Sequence, residues 1–290
     1  MKTLDKKLLR DLGRLRGQVL TVSLVVACGI AAYVTMRSSY ESFAEAEHSY
    51  YSRYRFADVF VHLKRAPNSM AAEIATIPGV SSVETRVVVE VNLDIPNLTE
   101  PAQGRLISIP EHRRPMLNDL FIREGRYIEP GRREEALVSE AFATANHLHV
   151  GQQIGAVING RWQPLRLVGI ALSPEYVYEI RGAEAFPDNR RFGVLWMSRD
   201  ALGPSFNMDG AFNDVALVLS PQTNETAVIS RLDSLFEPYG GLGAYGRADQ
   251  ISNQFLDNEI VHQRALGLFV PPIFLGVAVF LIHIVLSRLI

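Results

Sequence analysis

Two runs of this chain carry no charge, and they stand near its two ends. Gly17 to Met36, GQVLTVSLVVACGIAAYVTM, is 20 residues without Lys, Arg, Asp or Glu, and Ala265 to Ser287 is 23 such residues. At about 1.5 Å rise per residue, a helix of the second run covers roughly 34 Å, slightly more than a hydrocarbon core of about 30 Å. A core helix of a soluble domain is seldom this long and this free of charge. The pattern predicts transmembrane helices over 17–36 and 265–287, with a cytoplasmic end at 288–290. Arg288 stands where a stop-transfer cation belongs. Pro271-Pro272 falls in the first third of the second run, where a kink is tolerated if neighbours satisfy the freed carbonyls. His283 lies inside the run, and a lone imidazole near a helix end reaches the interface rather than forming a site.

Between the runs the periodicity changes. SSYESFAEAEHSYYSRYRF places Tyr40, Phe43, Tyr50 and Tyr54 roughly on one face without Pro or Gly, so the first helix is expected to continue as a stalk over 37–55. ADQISNQFLDNEIVHQRALG predicts a second stalk over 249–264, capped by Asp249, with Ile251, Phe255 and Ile260 as a looser stripe. Residues 56–99 read as strand (ADVFVHL), short helix (NSMAAEIATI, capped by Asn68 or Ser69 and ended at Pro78-Gly79) and one long strand (SSVETRVVVEVNL). Residues 206–248 repeat the unit: strand FNDVALVLS, helix NETAVISRLDSLFEPYGG, strand LGAYGR. Two such βαβ units predict one ferredoxin-like sheet. The stretch 100–205 then reads as a β-rich insertion, with strands EALVS and FGVLWMS and a QQIGAVI–WQPLRLVGIAL hairpin turning at Asn159-Gly160. The fold class expected is a membrane protein with two transmembrane helices and stalks around a large α+β extracytoplasmic domain.

Charge orients this arrangement. The first 16 residues hold six cations (Lys2, Lys6, Lys7, Arg10, Arg14, Arg16) and two anions (Asp5, Asp11), a net +4. Dense Lys/Arg beside a first span keeps that side in the cytoplasm. Leu4, Leu8, Leu12 and Leu15 recur at helical spacing, so 1–16 reads as a basic amphipathic helix on an anionic leaflet. Removing this +4 and the charge of Arg288 from the total of −2 leaves −7 on residues 37–287. The 228 residues of 37–264 are therefore mildly acidic, with no basic stripe for nucleic acid and enough length for a core of their own, expected as two subdomains. Cys28 is the one cysteine, so no intramolecular disulfide or thiolate cluster forms. Val25-Val26-Ala27-Cys28 loosely resembles a lipobox and the basic start a signal peptide, but the apolar run continues through IAAYVTM without a break.

No catalytic, cofactor or metal residue is assigned. Gly241, Gly243 and Gly246 spell G-x-G-x-x-G, yet a helix precedes them, whereas the dinucleotide fingerprint follows a strand and opens a helix. His147 and His149 would share a face of a strand, but a two-His site needs further ligands and the nearest carboxylate, Glu140, lies on a preceding helix. Ser139-Glu140 reads as a helix N-cap rather than a nucleophile, and Arg132 to Glu135 as a solvated mixed-charge turn. Asn97-Leu98-Thr99 and Asn224-Glu225-Thr226 have the form of glycosylation sequons, meaningful only in a eukaryotic secretory pathway. The basic start and large exported loop read as bacterial.

The stretch from Ile122 to Ile170 carries a resemblance. Gly125-Arg126, Val138-Ser139, Val150-Gly151, Asn159-Gly160 and Val168-Gly169-Ile170 follow one another as in the periplasmic core domain of the FtsX-like, MacB/LolC-type ABC transporter permeases. The departure is Gln152, where that family has Asp. SPEYVYEIRG and the closing VPPIFLGVAVFLIHIVLSRLI are also similar, so the resemblance covers essentially the whole chain. It implies a non-enzymatic permease subunit in the bacterial inner membrane. A cytoplasmic ABC ATPase would close on binding ATP, and the stalks would carry that motion to the periplasmic domain. The implied partners are that ATPase, a second permease copy or half, a periplasmic adaptor and the lipid bilayer. Family members have a cytoplasmic segment and at least two more spans after the second, so these 290 residues are expected to be the N-terminal portion of such a permease. A reading of another class is a two-span sensor or adaptor whose outer domain binds a ligand or partner.

The charge pattern predicts 37–264 outside the cytoplasm and the N-terminus inside. An alkaline phosphatase fusion at Gly182 is expected to be active; an inactive fusion there would refute the topology.

Overall fold

The computed structural model describes residues 16–96, 98–182, 184 and 186–287. The basic segment expected over 1–16, apart from Arg16, lies outside them, as do Asn97 of the first sequon and the 288–290 end with Arg288. The chain divides into two compact units, one of residues up to His48 and from Asp257 on, the other of Ser49–Leu256.

Two helices supply the first unit. Helix α1 (Arg16–Arg53) and helix α6 (Ile251–Ser287) are each long and apolar enough to cross a membrane. Their apolar side chains, Leu20, Leu268, Phe269 and Ile273 among them, are mostly exposed, as lipid-facing residues are. They approach at small residues: a Cβ on Gly29 would lie 3.0 Å from that of Phe274, and one on Gly267 would lie 3.6 Å from that of Met36. Close approach at small residues is how apolar helices associate where lipid removes the hydrophobic drive. Helix α6 runs through Pro271 and Pro272.

The second unit contains two sheets. The first has β11 (Gly241–Gly246), β1 (Val59–Pro67), β10 (Ala211–Leu219) and β2 (Val80–Arg86) in that order, each neighbour antiparallel. This is the strand order of two interleaved βαβ units, a ferredoxin-like sheet. Helices α2 (Met70–Ala75) and α5 (Glu225–Phe236) cover one face. Val59, Val61, Val215 and Leu217 alternate toward that face and meet Ile74, Leu232 and Phe236, while Phe60 and Ala216 point the other way toward Tyr51, Phe56 and Leu117. Asn224 caps α5, its side chain accepting from the Ala227 N–H.

The second sheet closes on itself. It contains β3 (Val88–Asp94), β4 (Ala102–Ile109), β5 (Phe121–Gly125), β6 (Glu135–Ser139), β7 (Gln153–Ile158), β8 (Arg161–Leu172) and β9 (Phe192–Ser198). Six strands pair in a ring, β8–β6–β9–β4–β3–β7 and back to β8, with β5 added on β8. Closure leaves the ring without an open edge. Strand β8 is long enough to serve two partners, its first half pairing with β7 and its second with β6 and β5. Asn159 and Gly160 both have positive φ, 48° and 73°, as a two-residue type I′ hairpin requires. Alternate residues of β6 and β9 fill the ring (Ala136, Val138, Leu195, Met197), and the others (Leu137, Val194, Trp196) pack outside it against Met116, Leu120 and Ile128.

Three expectations are corrected. The long strand of residues 81–93 divides at Val87. Strand β2 runs beside β10 in one sheet and β3 beside β4 in the other. Val87 donates its N–H to the Ser108 hydroxyl instead of to a strand neighbour. The β-rich part therefore begins at Val88 rather than at residue 100. Second, Asp249 belongs to a 3₁₀ turn, and Gln250 caps α6 by accepting from the Asn253 N–H. Third, Ile251 is exposed while Ser252 and Asn253 are buried. Polar groups can be the inner face there because Ser252 accepts from the Tyr178 N–H.

Residues 49–256 have their own cores, so this segment expressed alone is expected to unfold cooperatively in urea. Phe142 is fully buried inside the ring, so Phe142→Ala should cost about 3–5 kcal/mol. Phe186 is 78% exposed, and Phe186→Ala should change stability by less than about 0.5 kcal/mol.

Candidate functional site

The division at Val87 places Arg86 where the chain passes from one sheet to the other, and Arg86 is buried. Its Nε donates to Asp214 Oδ1 of β10 at 2.6 Å. Its Nη1 and Nη2 donate to Glu175 Oε2 and Oε1 at 2.5 and 2.9 Å, a two-pronged pair that matches a guanidinium to a carboxylate. Glu175 sits in the 3₁₀ turn Pro174–Tyr176, whose N-cap Ser173 accepts from the Glu175 N–H. Asn118 Nδ2 and the Tyr176 hydroxyl also donate to the Glu175 carboxylate, at 2.6 and 3.1 Å. On its far side, Asp214 makes an ion-pair contact of 2.7 Å with His62 Nδ1 of β1. The second ring nitrogen, Nε2, lies 3.0 Å from the Tyr245 hydroxyl of β11. Thus residues of β1, β2, β10 and β11 meet the 174–176 turn in one cluster, buried at Arg86, Asp214 and Glu175 and half-buried at His62 and Tyr245.

Desolvated ions are costly unless paired, and Arg86 and Asp214 each face two ionisable partners of opposite sign, while Glu175 has Arg86 and two neutral donors. Burial alone would raise the Asp214 carboxyl, but Arg86 and His62 outweigh it and hold it below the ordinary carboxylate range. Burial would likewise lower His62, yet the Asp214 carboxylate, with Glu175 behind it, pulls the imidazole up despite the opposing charge of Arg86. For Arg86, burial is outweighed by Asp214 and Glu175, which keep it charged.

A cavity of about 380 Å³ opens beside this cluster. His62 and Tyr245 border it from the ferredoxin-like sheet, and Arg105 borders it from the ring. Tyr176, Tyr178 and Ile180 come from the loop between β8 and β9, Asp249 from the 3₁₀ turn before α6 and Gln250 from its cap. Arg105 pairs with Glu90 at 2.7 Å and lies over the Tyr176 ring, 5.9 Å from its centroid. The cavity-lining loop is fastened at a second point: Glu179 is buried, and its Oε2 accepts from the Ser139 hydroxyl at 2.8 Å. Burial without a cation pushes the Glu179 carboxyl up to about 8, although the Ser139 hydroxyl and the Val194 N–H offset part of the effect.

The residues weighed from sequence are distributed otherwise. Gly241, Gly243 and Gly246 form the edge strand β11, not a phosphate loop. His147 and His149 lie in the turn after α3 (Glu140–Ala145), not on a strand, and line a surface depression with Glu124 and Glu140. Among the described residues no His, Cys, Asp and Glu group has the arrangement of a metal site. Ser139 occupies the N-cap position of α3 without capping it, because its hydroxyl is given to Glu179. Asn68 and Ser69 do not cap α2 with a side chain either; Asn68 instead accepts from Arg199 of α4 (Arg199–Ser205). Within the run Arg132–Glu135, Glu135 is buried and held by both terminal nitrogens of Arg126, which keep its carboxyl low. Cys28 is exposed on α1.

The cluster itself was not assigned from sequence. Its signal is an ionisable residue at an inward strand position, as with Asp214 within FNDVALVL and His62 within VFVHL. Glu175 and Glu179 stand in SPEYVYEIRG, a stretch given no role beyond its resemblance.

No protein-family model matches the chain, and no curated protein matches it. Among solved structures it is similar to the extracellular domain of the noncanonic ABC-type transporter YknZ from Gram-positive bacteria, at 13% identity and a TM-score of 0.41. That match covers 66% of this chain and 98% of the other. It is also similar to the periplasmic region of MacB from Actinobacillus actinomycetemcomitans, at 12% identity and a TM-score of 0.41, over 71% of this chain and 93% of the other.

Glu179 gives a pH prediction. Its folded form keeps a proton that the unfolded chain loses above about 4.5, so its contribution is full below that pH and lost as pH rises through about 8. Urea stability should fall across this window by up to about 1.4 kcal/mol per pH unit. Glu179→Gln should remove that slope and leave the His62 contribution, which has the same sign above pH 6.5. An unaltered slope in the variant would show that Glu179 is not its source.

Proposed function

We propose that this chain is a permease subunit of an ABC transporter of the mechanotransmission type. In this reading 17–36 and 265–287 cross a bacterial inner membrane, the N-terminus is cytoplasmic and 37–264 is periplasmic. A separate cytoplasmic ABC ATPase hydrolyses ATP, a second permease copy or half completes the assembly, and a periplasmic adaptor is a further partner. The subunit does no chemistry of its own.

The observation that carries the reading is helix length. Helices α1 and α6 have 38 and 37 residues. At about 1.5 Å per residue each measures roughly 56 Å, nearly twice a hydrocarbon core. A helix that only anchors a domain has no need of the extra turns, whereas one that conveys displacement does. The order of the Gly-Arg, Val-Ser, Asn-Gly and Val-Gly-Ile motifs supports the same reading. Each occupies a turn, strand or hairpin position of the ring, as with Gly125 at φ 79° and Gly151 at φ 91°.

The test is to interrupt one helix. Inserting Gly-Gly-Ser-Gly after Ala46 breaks α1 between the apolar run and the folded unit. The variant should leave the 49–256 unit folded and the partner ATPase active, but abolish any ATP-dependent change in hydrogen exchange of that unit. An ATP-dependent change equal to that of the uninterrupted chain would count against mechanical coupling.

A further inference from the structure

Both ring nitrogens of His62 are engaged. Nδ1 faces the Asp214 carboxylate, which only accepts, so Nδ1 carries a proton in either charge state. Nε2 faces the Tyr245 hydroxyl. In the neutral ring Nε2 offers a lone pair, and the tyrosine donates its proton to it. In the cationic ring Nε2 donates, the tyrosine oxygen accepts, and the tyrosine proton needs another acceptor. Among the described residues, Tyr245 makes no second hydrogen bond. Tyr245 lines the cavity of about 380 Å³. His62 protonation therefore turns Tyr245 from a satisfied donor into an open one.

The rest of the wall limits what can enter. Tyr176, Tyr178 and Ile180 offer flat or branched apolar surface. The named groups carry an excess of negative charge: Arg86 and Arg105 stand against Asp214, Glu175, Glu90 and Asp249. An anion is opposed by this excess, and a cation has no lone pair to offer an open O–H donor. A neutral molecule with one acceptor fits both the apolar surface and the single open donor.

We propose that this cavity binds a small neutral molecule with an aromatic or aliphatic body and a carbonyl oxygen, which accepts a hydrogen bond from the Tyr245 hydroxyl when His62 is protonated. The groups that face His62 are Asp214 on β10, Tyr245 on β11, Arg86 on β2 and Glu175 in the 174–176 turn. Asp214 is held low and Arg86 high, so neither changes charge across the neutral range. The inference concerns the 49–256 unit and does not rest on the permease reading, since binding is measured without an ATPase.

The probe is N,N-dimethylbenzamide, which accepts hydrogen bonds, donates none and is uncharged at every pH used. It is titrated into the full chain in lipid nanodiscs, with empty nanodiscs subtracted. Losing one donor to a neutral acceptor corresponds to about tenfold in affinity. The dissociation constant should rise by about tenfold between pH 5.5 and pH 8.5. Tyr245→Phe should show the weaker value at both. Because Glu179 titrates nearby in the same window, the profile is repeated in Glu179→Gln, where it should persist. Absence of saturable binding at pH 5.5, an affinity independent of pH, loss of the profile in Glu179→Gln, or wild-type affinity in Tyr245→Phe would overturn the proposal. If Tyr245→Phe does not melt cooperatively, the wild-type and Glu179→Gln profiles decide it.

Discussion

The architecture of the folded unit depends on one buried guanidinium. A run of β-forming residues that could have made one strand serves two sheets, and Arg86 is the residue at the crossing. Placing a charge there is costly unless it is matched, and the match comes from both sides. Asp214 belongs to the ferredoxin-like sheet, and Glu175 to the loop that leaves β8 of the ring. A hydrophobic contact between the sheets would tolerate sliding by fractions of an ångström. A guanidinium with three short, directed bonds does not, because any shift leaves an unpaired ion out of water. The cluster fixes relative position more than it adds stability.

That fixation shapes the cavity. The loop after β8 contributes Tyr176, Tyr178 and Ile180 to the wall, and it is held by two carboxylates of opposite character. Glu175 is satisfied by a cation and two neutral donors. Glu179, four residues on, has only the Ser139 hydroxyl and a backbone amide, so its stable form is the protonated one. One pin is an ion pair with Arg86, and the other weakens as pH rises. A wall built this way keeps its ion-paired end while its other end can loosen.

Much of the fold was legible in the sequence because it rests on local signals. The Asn159-Gly160 turn, the repeated βαβ pattern and the two uncharged runs each have a physical signature within a few residues. The division at Val87 had none: both halves of SSVETRVVVEVNL alternate well, and only the competition between two distant partner strands decides where the chain turns away. The cluster was illegible for the same reason. Arg86, Asp214 and Glu175 are far apart in sequence, and each alone looks like a surface charge. Ser139 misled in the opposite direction, since its position before α3 is that of a cap while its hydroxyl serves a residue 40 positions away. Asp249 has the intrinsic tendency of a cap, but it is taken up in the 3₁₀ turn and Gln250 caps α6.

The ends of the folded unit lead to the same place. At the entry, Ala57 N–H donates to Asn118 Oδ1 and Asn118 N–H to Arg55 O, and Asn118 also donates to Glu175. At the exit, Gln250 Nε2 donates to the Glu175 carbonyl at 2.7 Å, and Ser252 accepts from Tyr178. Arg247 ties the two together, donating to the Ala57 and Phe56 carbonyls and to Asp58, with its guanidinium over the Phe56 ring. The residues just after α1 and the first of α6 are therefore linked to the Glu175 turn by directed hydrogen bonds rather than by apolar packing alone. Both ends of the folded unit are thus fastened beside the Arg86–Glu175 pair, the entry through Asn118 and the exit through Gln250.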